Sequence, residues 1–362
     1  MCNKLKFDPS EVPCQEISDP AVLSKIPLVS VKMITYNHEP YIARAIEGVI
    51  GQKTEFPFEL VISEDCSNDG TREIVLEYQR KYPDIIRVLI SDQNIGATKN
   101  TYRTDRACRG KYIAYCEGDD YWHHPLKLQK QVDFLEANPD YGFVHSDYIA
   151  YDVSKKKRLP TRKLGALDDN NAYEDIMTGK RIIMTVTVCV RATILRKAIE
   201  TSFAELYNLE WPMGDTPRGL ECARLAKVKY INEKLATKNM LPESASGSQD
   251  LSKVMDFWCK SNEMRSHYLR KYPISKELTS KVLLNGFHRV IYLAYLAKRW
   301  DVVRDTHEKM VRNGFRLRLI HYLYYYSSFN NLIYISFYPV FFFYKVLDKI
   351  FQVLGVRVRL KT

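Results

Sequence analysis

The sequence predicts an α/β fold, a mainly parallel sheet flanked by helices, with a helical extension on its C-terminal side. Three observations carry that expectation. Short apolar, β-branched runs alternate with stretches of helical periodicity through the first 250 residues, the pattern of successive βαβ units. From Leu251 onward the apolar positions recur at helical spacing. Two acidic, turn-rich loops directly follow strand-like runs, where open parallel sheets bind their ligands.

Each element follows in order. Residues 1–27 are polar and lack the apolar core of a signal peptide, so they read as a lead-in without an export signal. Leu28 to Ile34 is a buried strand that ends in the polar loop Thr35–Pro40, and Tyr41 to Gly51 is a helix with Ile42, Ala45, Ile46 and Val49 on one face. A strand over 58–62 runs into SEDCSNDGT (63–71), where Ser67 and Asp69 suit turn and N-cap roles for a helix over 71–82. A strand over 86–91, a helix over 98–108 and a strand over 111–116 complete four units. Behind that last strand stands CEGDDYW, Cys116 to Trp122. A helix over 125–137 turns Leu128, Val132 and Leu135 inward, a strand covers 141–149, and RIIMTVTVCV (181–190) is the strongest strand signal of the second half. The basic stretch 155–165 is a solvated loop or a docking face for an anionic acceptor. Helices over 282–297 and 301–311 follow, and 345–362 is a basic amphipathic helix and tail. The expected division is a lead-in (1–27), an α/β domain (28–250), a helical extension (251–330) and an apolar, basic tail (331–362).

With 362 residues the chain has ample material for a core. Its eight cysteines form no CxxC pair and no zinc-spaced cluster with histidine, so reduced thiols are expected. The net charge of +11 is uneven: residues 251–362 hold 20 Lys and Arg against 7 Asp and Glu, whereas the first 250 hold 34 against 36. The basic third also contains His321–Tyr344, 24 residues without a charged side chain and rich in aromatics. That combination fits an anionic membrane surface rather than nucleic acid. The stretch lies in the interface, spans the bilayer or packs as a buried hairpin; Pro339 and the Ser327, Ser328, Asn330, Asn331 cluster weigh against spanning.

CEGDDYW packs Glu117, Asp119 and Asp120 into four positions. Gly and Asp are ordinary turn formers, so the run is either an acidic turn or a carboxylate site held by a cation such as Mg²⁺ or Mn²⁺. The second acidic loop, at 63–71, favours one shared crevice. Read together, SVKMITYNHEPYI (30–42), SEDCSNDGT (63–71), NIG (94–96) with GKYIAYCEGDDYW (110–122), and GDTP (214–217) resemble the family 2 glycosyltransferases, the inverting nucleotide-sugar enzymes of the GT-A fold. The resemblance covers residues 28–246.

It implies that Thr35, Tyr36 and Asn37 surround the nucleotide base, that Asp65 accepts a hydrogen bond from it, and that Asn94 and Lys99 sit by the donor. It implies Asp119 as a metal ligand with Glu117 beside it, the two standing in the family's DxD region. Asp120 and Trp122 then face the sugar or the acceptor, with core packing the alternative for Trp122. Asp215 stands where the family carries its catalytic base, with a helix N-cap as the plain alternative. Three departures stand out. Glu117 replaces the usual aspartate, Ala97-Thr98-Lys99-Asn100 stands where many members have an Arg-Asn pair, and the late YRxH segment reads Lys238-Asn239-Met240-Leu241, without its histidine.

The function expected is inverting transfer of a sugar from a nucleotide-diphosphate donor to a glycan or lipid-linked oligosaccharide in cell-envelope polysaccharide synthesis. The expected place is the cytoplasm, peripheral at the inner face of the plasma membrane. The alternatives are a nucleotide-sugar-binding protein with impaired catalysis and a nucleotidyltransferase; the lack of a Gly-rich, basic loop after the first strand counts against the latter.

Overall fold

The computed structural model describes residues 8–23, 26–161, 167–241 and 250–329. The chain divides into two compact units, Met1–Gly247 and Ser248–Thr362.

The first unit holds a ten-stranded sheet. Its elements are β1 (Gln15–Ile17), β2 (Val29–Thr35), α1 (Glu39–Ile50), β3 (Phe58–Glu64), α2 (Thr71–Lys81), β4 (Ile86–Ile90), α3 (Gly96–Ala107), β5 (Tyr112–Tyr115) and β6 (Tyr121–Trp122). They continue with α4 (Lys127–Ala137), β7 (Tyr141–Asp152), β8 (Lys157–Leu159), α5 (Ala172–Met177), β9 (Cys189–Arg191), α6 (Ala192–Leu206), α7 (Asp215–Leu225) and β10 (Lys227–Met240). The sheet order is β1-β4-β3-β2-β5-β9-β7-β10-β6, with β8 on β7.

Strands β4, β3, β2 and β5 pair in parallel, as the alternating pattern predicts. The remainder is mixed rather than mainly parallel: β9 lies antiparallel between β5 and β7, β7 and β10 are parallel, and β6 closes the edge antiparallel to β10. Strands β2 and β3 are buried along nearly their whole length, because helices cover both faces. Helix α1 buries Ile42, Ala45, Ile46 and Val49 against the core that contains Val31, Met33, Leu60 and Ile62.

Three expectations change. The lead-in contributes an edge strand, β1, whose Glu16 carboxylate receives both Nε and Nη2 of Arg87 on β4. Of the strong strand signal at 181–190, only Cys189 onward pairs. Thr185–Thr187 instead forms a 3₁₀ turn, and its carbonyls find side-chain donors: Trp122 Nε1 reaches Val186 O at 2.9 Å and Gln131 Nε2 reaches Thr187 O at 2.8 Å. The third is β10, 14 residues long, for which no strand was expected. The cysteines within the described residues are free thiols.

The second unit contains α8 (Leu251–Lys271), α9 (Lys276–Leu296), α10 (Trp300–Arg312) and α11 (Leu319–Ser327) around a core of Met255, Ile291, Ala294, Tyr295, Val303 and Tyr324. No helix among the described residues is long and apolar enough to cross a membrane. Most of 321–344 and all of 345–362 lie outside the described residues.

This unit also carries a pH liability. His321 is 3% exposed and stacks on His288 at 4.4 Å, and its Nδ1 accepts the Arg318 backbone N–H. Burial, with His288, Arg318 and His307 adding positive charge, pushes the His321 imidazole down to about 4 from 6.5. The folded state therefore prefers neutral His321 while the unfolded chain protonates it near 6.5. Stability is full above 6.5 and drains as pH falls toward 4, by about 3 kcal/mol at most for this group. Urea melts of the second unit's helices at pH 7.5 and 5 should show this loss, and His321→Phe should flatten the dependence.

Candidate functional site: a carboxylate cluster at the strand ends

Two loops at the carboxyl ends of β2 and β3 are laced together. Asn37 adopts a left-handed conformation (φ 54°), which lets its Oδ1 accept the Asn68 N–H at 2.9 Å while its own N–H donates to Ser67 Oγ at 3.0 Å. His38 N–H donates to Thr71 Oγ1, and Glu39 N–H to Asp69. Ser67 and Asp69 are thus turn groups that tie the two loops, while the N-cap position of α2 falls to Gly70, without a side-chain cap. Tyr36 is left 38% exposed at the tip of this lacing, and Thr35 is buried with Oγ1 at 3.1 Å from His38 Nδ1.

Asp65, just past β3, holds the Asn94–Gly96 loop: Oδ1 accepts Ile95 N–H at 2.9 Å and Oδ2 accepts Gly96 N–H at 3.0 Å. Asn94 Oδ1 shares the Gly96 amide, and Gly96 needs its glycine for φ 80°. Burial raises the Asp65 carboxyl against the pull of these amides. The residue is 2% exposed, with one loop amide on each oxygen. Lys99 lies half-buried in the first turn of α3.

The CEGDDYW turn follows β5 and rests on the first loop. Gly118 N–H donates to Ile34 O, and a Cβ at Gly118 would come within 2.5 Å of Thr35 Oγ1 and 2.9 Å of His38 Nδ1, so only glycine brings the two segments this close. Glu117, Asp119 and Asp120 converge with ligand oxygens all within 4.8 Å of one another.

Strand β10 completes the cluster. Its antiparallel pairing sets Thr237 opposite Tyr121 and brings the next two residues against the acidic turn. Asn239 N–H donates to Asp120 Oδ1 at 2.8 Å, Asn239 Nδ2 donates to Asp119 O, and Lys238 Nζ lies 3.5 Å from Asp120 Oδ2. That Oδ2 is buried without a hydrogen bond.

Burial pushes the Glu117 carboxyl up to about 7, with the negative charges of Asp119 and Asp215 adding to the rise and Lys238 and Lys32 opposing it. Burial acts the same way on Asp120, opposed first by Lys238. The Asp120 charge, outweighing the cost of burial, holds Lys238 firmly protonated. Glu117 and Asp119 offer carboxylate oxygens, the hard ligands that Mg²⁺ or Mn²⁺ takes, with Asp120 behind them.

Asp215 opens α7, exposed, with Oδ1 accepting the Thr216 N–H at 2.7 Å. The helix is anchored from below: Arg218 Nη2 meets Asp105 Oδ2 at 2.5 Å, Lys32 binds the other oxygen, and Tyr207 O–H donates at 2.8 Å. Burial alone would raise the Asp105 carboxyl; Arg218 and Lys32 reverse this and hold it below the usual range.

Two expected roles change. Trp122 is 3% exposed, belongs to the apolar core and donates its indole N–H to Val186 O, so it offers no face to an acceptor. Asp120 is 1% exposed and turned to Asn239 and Lys238 rather than outward to a sugar. Lys238 and Asp105 were not read as site residues. A lysine in a charged stretch and an aspartate in a polar helix carry no mark of burial in a single sequence.

The description glycosyl transferase family 2 matches residues 30–203. TuaG of Bacillus subtilis, provisionally named a teichuronic acid biosynthesis glycosyltransferase, is 26% identical over 246 residues, 67% of this chain and 91% of its own. Mycobacterium tuberculosis and Mycobacterium bovis proteins 46% identical over 112 residues are matched along only 32% of their length. Among solved structures, Staphylococcus aureus TarS superposes with a TM-score of 0.55 at 16% identity over 77% of this chain and 48% of its own. The mannosyltransferase PcManGT of Pyrobaculum calidifontis, in complex with GDP-Man and Mn²⁺, gives 0.50 at 14% identity over 91% of both chains. The family match spans β2 to α6 and the same fold recurs in TarS and PcManGT, so over residues 30–203 the chain is similar to glycosyl transferase family 2.

Proposed function

We propose that the chain is an inverting glycosyltransferase that moves a sugar from a nucleotide-diphosphate donor to a hydroxyl of a glycan or lipid-linked oligosaccharide in cell-envelope polysaccharide assembly. The observation that carries this is the convergence of Glu117, Asp119 and Asp120 within 4.8 Å at the end of β5. The name of TuaG supports a surface-polysaccharide setting, and the GDP-Man and Mn²⁺ bound by PcManGT support a nucleotide sugar with a divalent cation.

In this reading Tyr36, Thr35 and Asn37 receive the base with Asp65, and Asn94 and Lys99 border the diphosphate. Asp119 and Glu117 hold Mg²⁺ or Mn²⁺, which when bound offsets the charge of the leaving diphosphate. Asp215 takes the proton of the acceptor hydroxyl as its oxygen bonds to the anomeric carbon, while the bond to the β-phosphate oxygen breaks with its electron pair. A single displacement inverts that carbon and needs one base.

The test is a screen of purified chain with Mn²⁺ and a panel of nucleotide sugars, following release of nucleoside diphosphate. Metal-dependent release supports the proposal, and binding without turnover on any acceptor would sink it. Asp119→Ala should weaken Mn²⁺-dependent donor binding at least tenfold; an unchanged metal titration would remove Asp119 from the ligand set. An anionic membrane surface is the proposed partner of the C-terminal third, on the strength of its +13 charge. Removing residues 330–362, which spares α11, should then release the protein from membranes in detergent-free fractionation.

A further inference from the structure

We propose that Lys238 is the resident counter-ion of the acidic cluster and, in that position, sets how tightly the site binds a divalent cation. This rests on reading Glu117 and Asp119 as the cation-binding carboxylates. The pairing of β6 with β10 fixes the lysine beside the turn, and its Nζ lies 3.5 Å from Asp120 Oδ2, a buried oxygen with no hydrogen bond. Its side chain is 29% exposed, so the ammonium has a route out to solvent along a flexible stem. Asp120 itself is pinned by Asn239 and cannot follow.

The electrostatic consequence is direct. A divalent cation entering among carboxylates already within 4.8 Å of one another meets an ammonium occupying the same few ångströms. Repulsion between them is strong in a partly desolvated site, so the free chain binds the cation weakly. A donor changes the balance. Its diphosphate brings negative charge that offers the ammonium another partner, so cation and donor enter together while Lys238 moves off Oδ2.

The test is calorimetric titration of MnCl₂ into the full chain without nucleotide, comparing wild type with Lys238→Met, Lys238→Gln and Lys238→Arg. Both neutral variants should bind Mn²⁺ at least tenfold tighter than wild type, and the arginine variant no tighter. Equal or weaker affinity in the neutral variants overturns the proposal, as does an absence of binding in all four proteins. Should Lys238→Met fail to fold, Lys238→Gln decides alone. Sugar transfer by the wild type, measured separately, keeps the two readings apart. A gain in affinity without any transfer counts against the transferase, whereas transfer without a gain counts against Lys238 alone.

Discussion

Asp215→Asn should cut sugar transfer by about 10²–10⁴-fold while leaving donor affinity within about twofold, the signature of a lost general base. The substitution is nearly isosteric. The asparagine oxygen can still accept the Thr216 N–H that Oδ1 now receives at 2.7 Å, so the start of α7 should keep its geometry. Asp215 is exposed, and the change should move stability by less than about 0.5 kcal/mol. Donor binding, measured by titration with the nucleotide sugar the screen identifies, separates the two outcomes. Transfer within tenfold of wild type would place the base elsewhere. A collapse of donor affinity would show instead that Asp215 holds the donor, which its electrostatic reach to Glu117 and Lys238 makes the relevant rival.

The parallel half of the sheet was legible because its strands are buried on both faces. Val29–Thr35 and Phe58–Glu64 therefore stay rich in apolar and β-branched residues despite the buried Ser30, Lys32 and Glu59, and each is followed by a helix of clear periodicity. Strand β10 was illegible for the opposite reason. It carries Lys227, Lys229, Lys234 and Lys238, with the apolar stretch Leu235–Ala236 too short to stand out, and its pairing with β7 comes from sequence 75 or more residues away. The 181–190 run shows the converse failure. β-Branched residues marked it as a strand, but side-chain donors from Trp122 and Gln131 satisfied its carbonyls and removed the need for a ladder.

The site divides along the same line. Glu117, Asp119, Asp65 and Asp215 sit in loops and at a helix start, where turn residues and acidic pairs announce themselves. Lys238 was visible only as the first residue of the Lys238–Leu241 segment, because its significance depends on a strand register that no local pattern reports. Trp122 was undecided between stacking on a sugar and packing, since an indole suits both, and only the position of Val186 O resolves it.

Asp105→Asn should destabilise the first unit by about 3–5 kcal/mol, the range for removing one partner from a buried charge pair. The reason lies in what the substitution leaves behind. The Asp105 carboxylate, 1% exposed, is shared by Lys32 from β2 and Arg218 from α7, both nearly as buried, with Tyr207 donating a further hydrogen bond. An amide keeps the volume and an acceptor for Tyr207 but abandons two cations in a site that burial makes hostile to them. Arg218 Nε already lacks a partner there, and Nη1 has only the Gly214 carbonyl at 3.4 Å besides. The effect should appear as a fall of roughly 10 °C in the melting of the first unit. Because these charges tie β2 and α3 to the helix that begins at Asp215, transfer by the folded variant should fall as well, mainly in kcat. Asp215→Asn, by contrast, should lose transfer with its melting point intact. A melting point for Asp105→Asn within about 2 °C of wild type would show that the buried cluster breaks even against its desolvation cost, and that α7 is held by its apolar contacts instead.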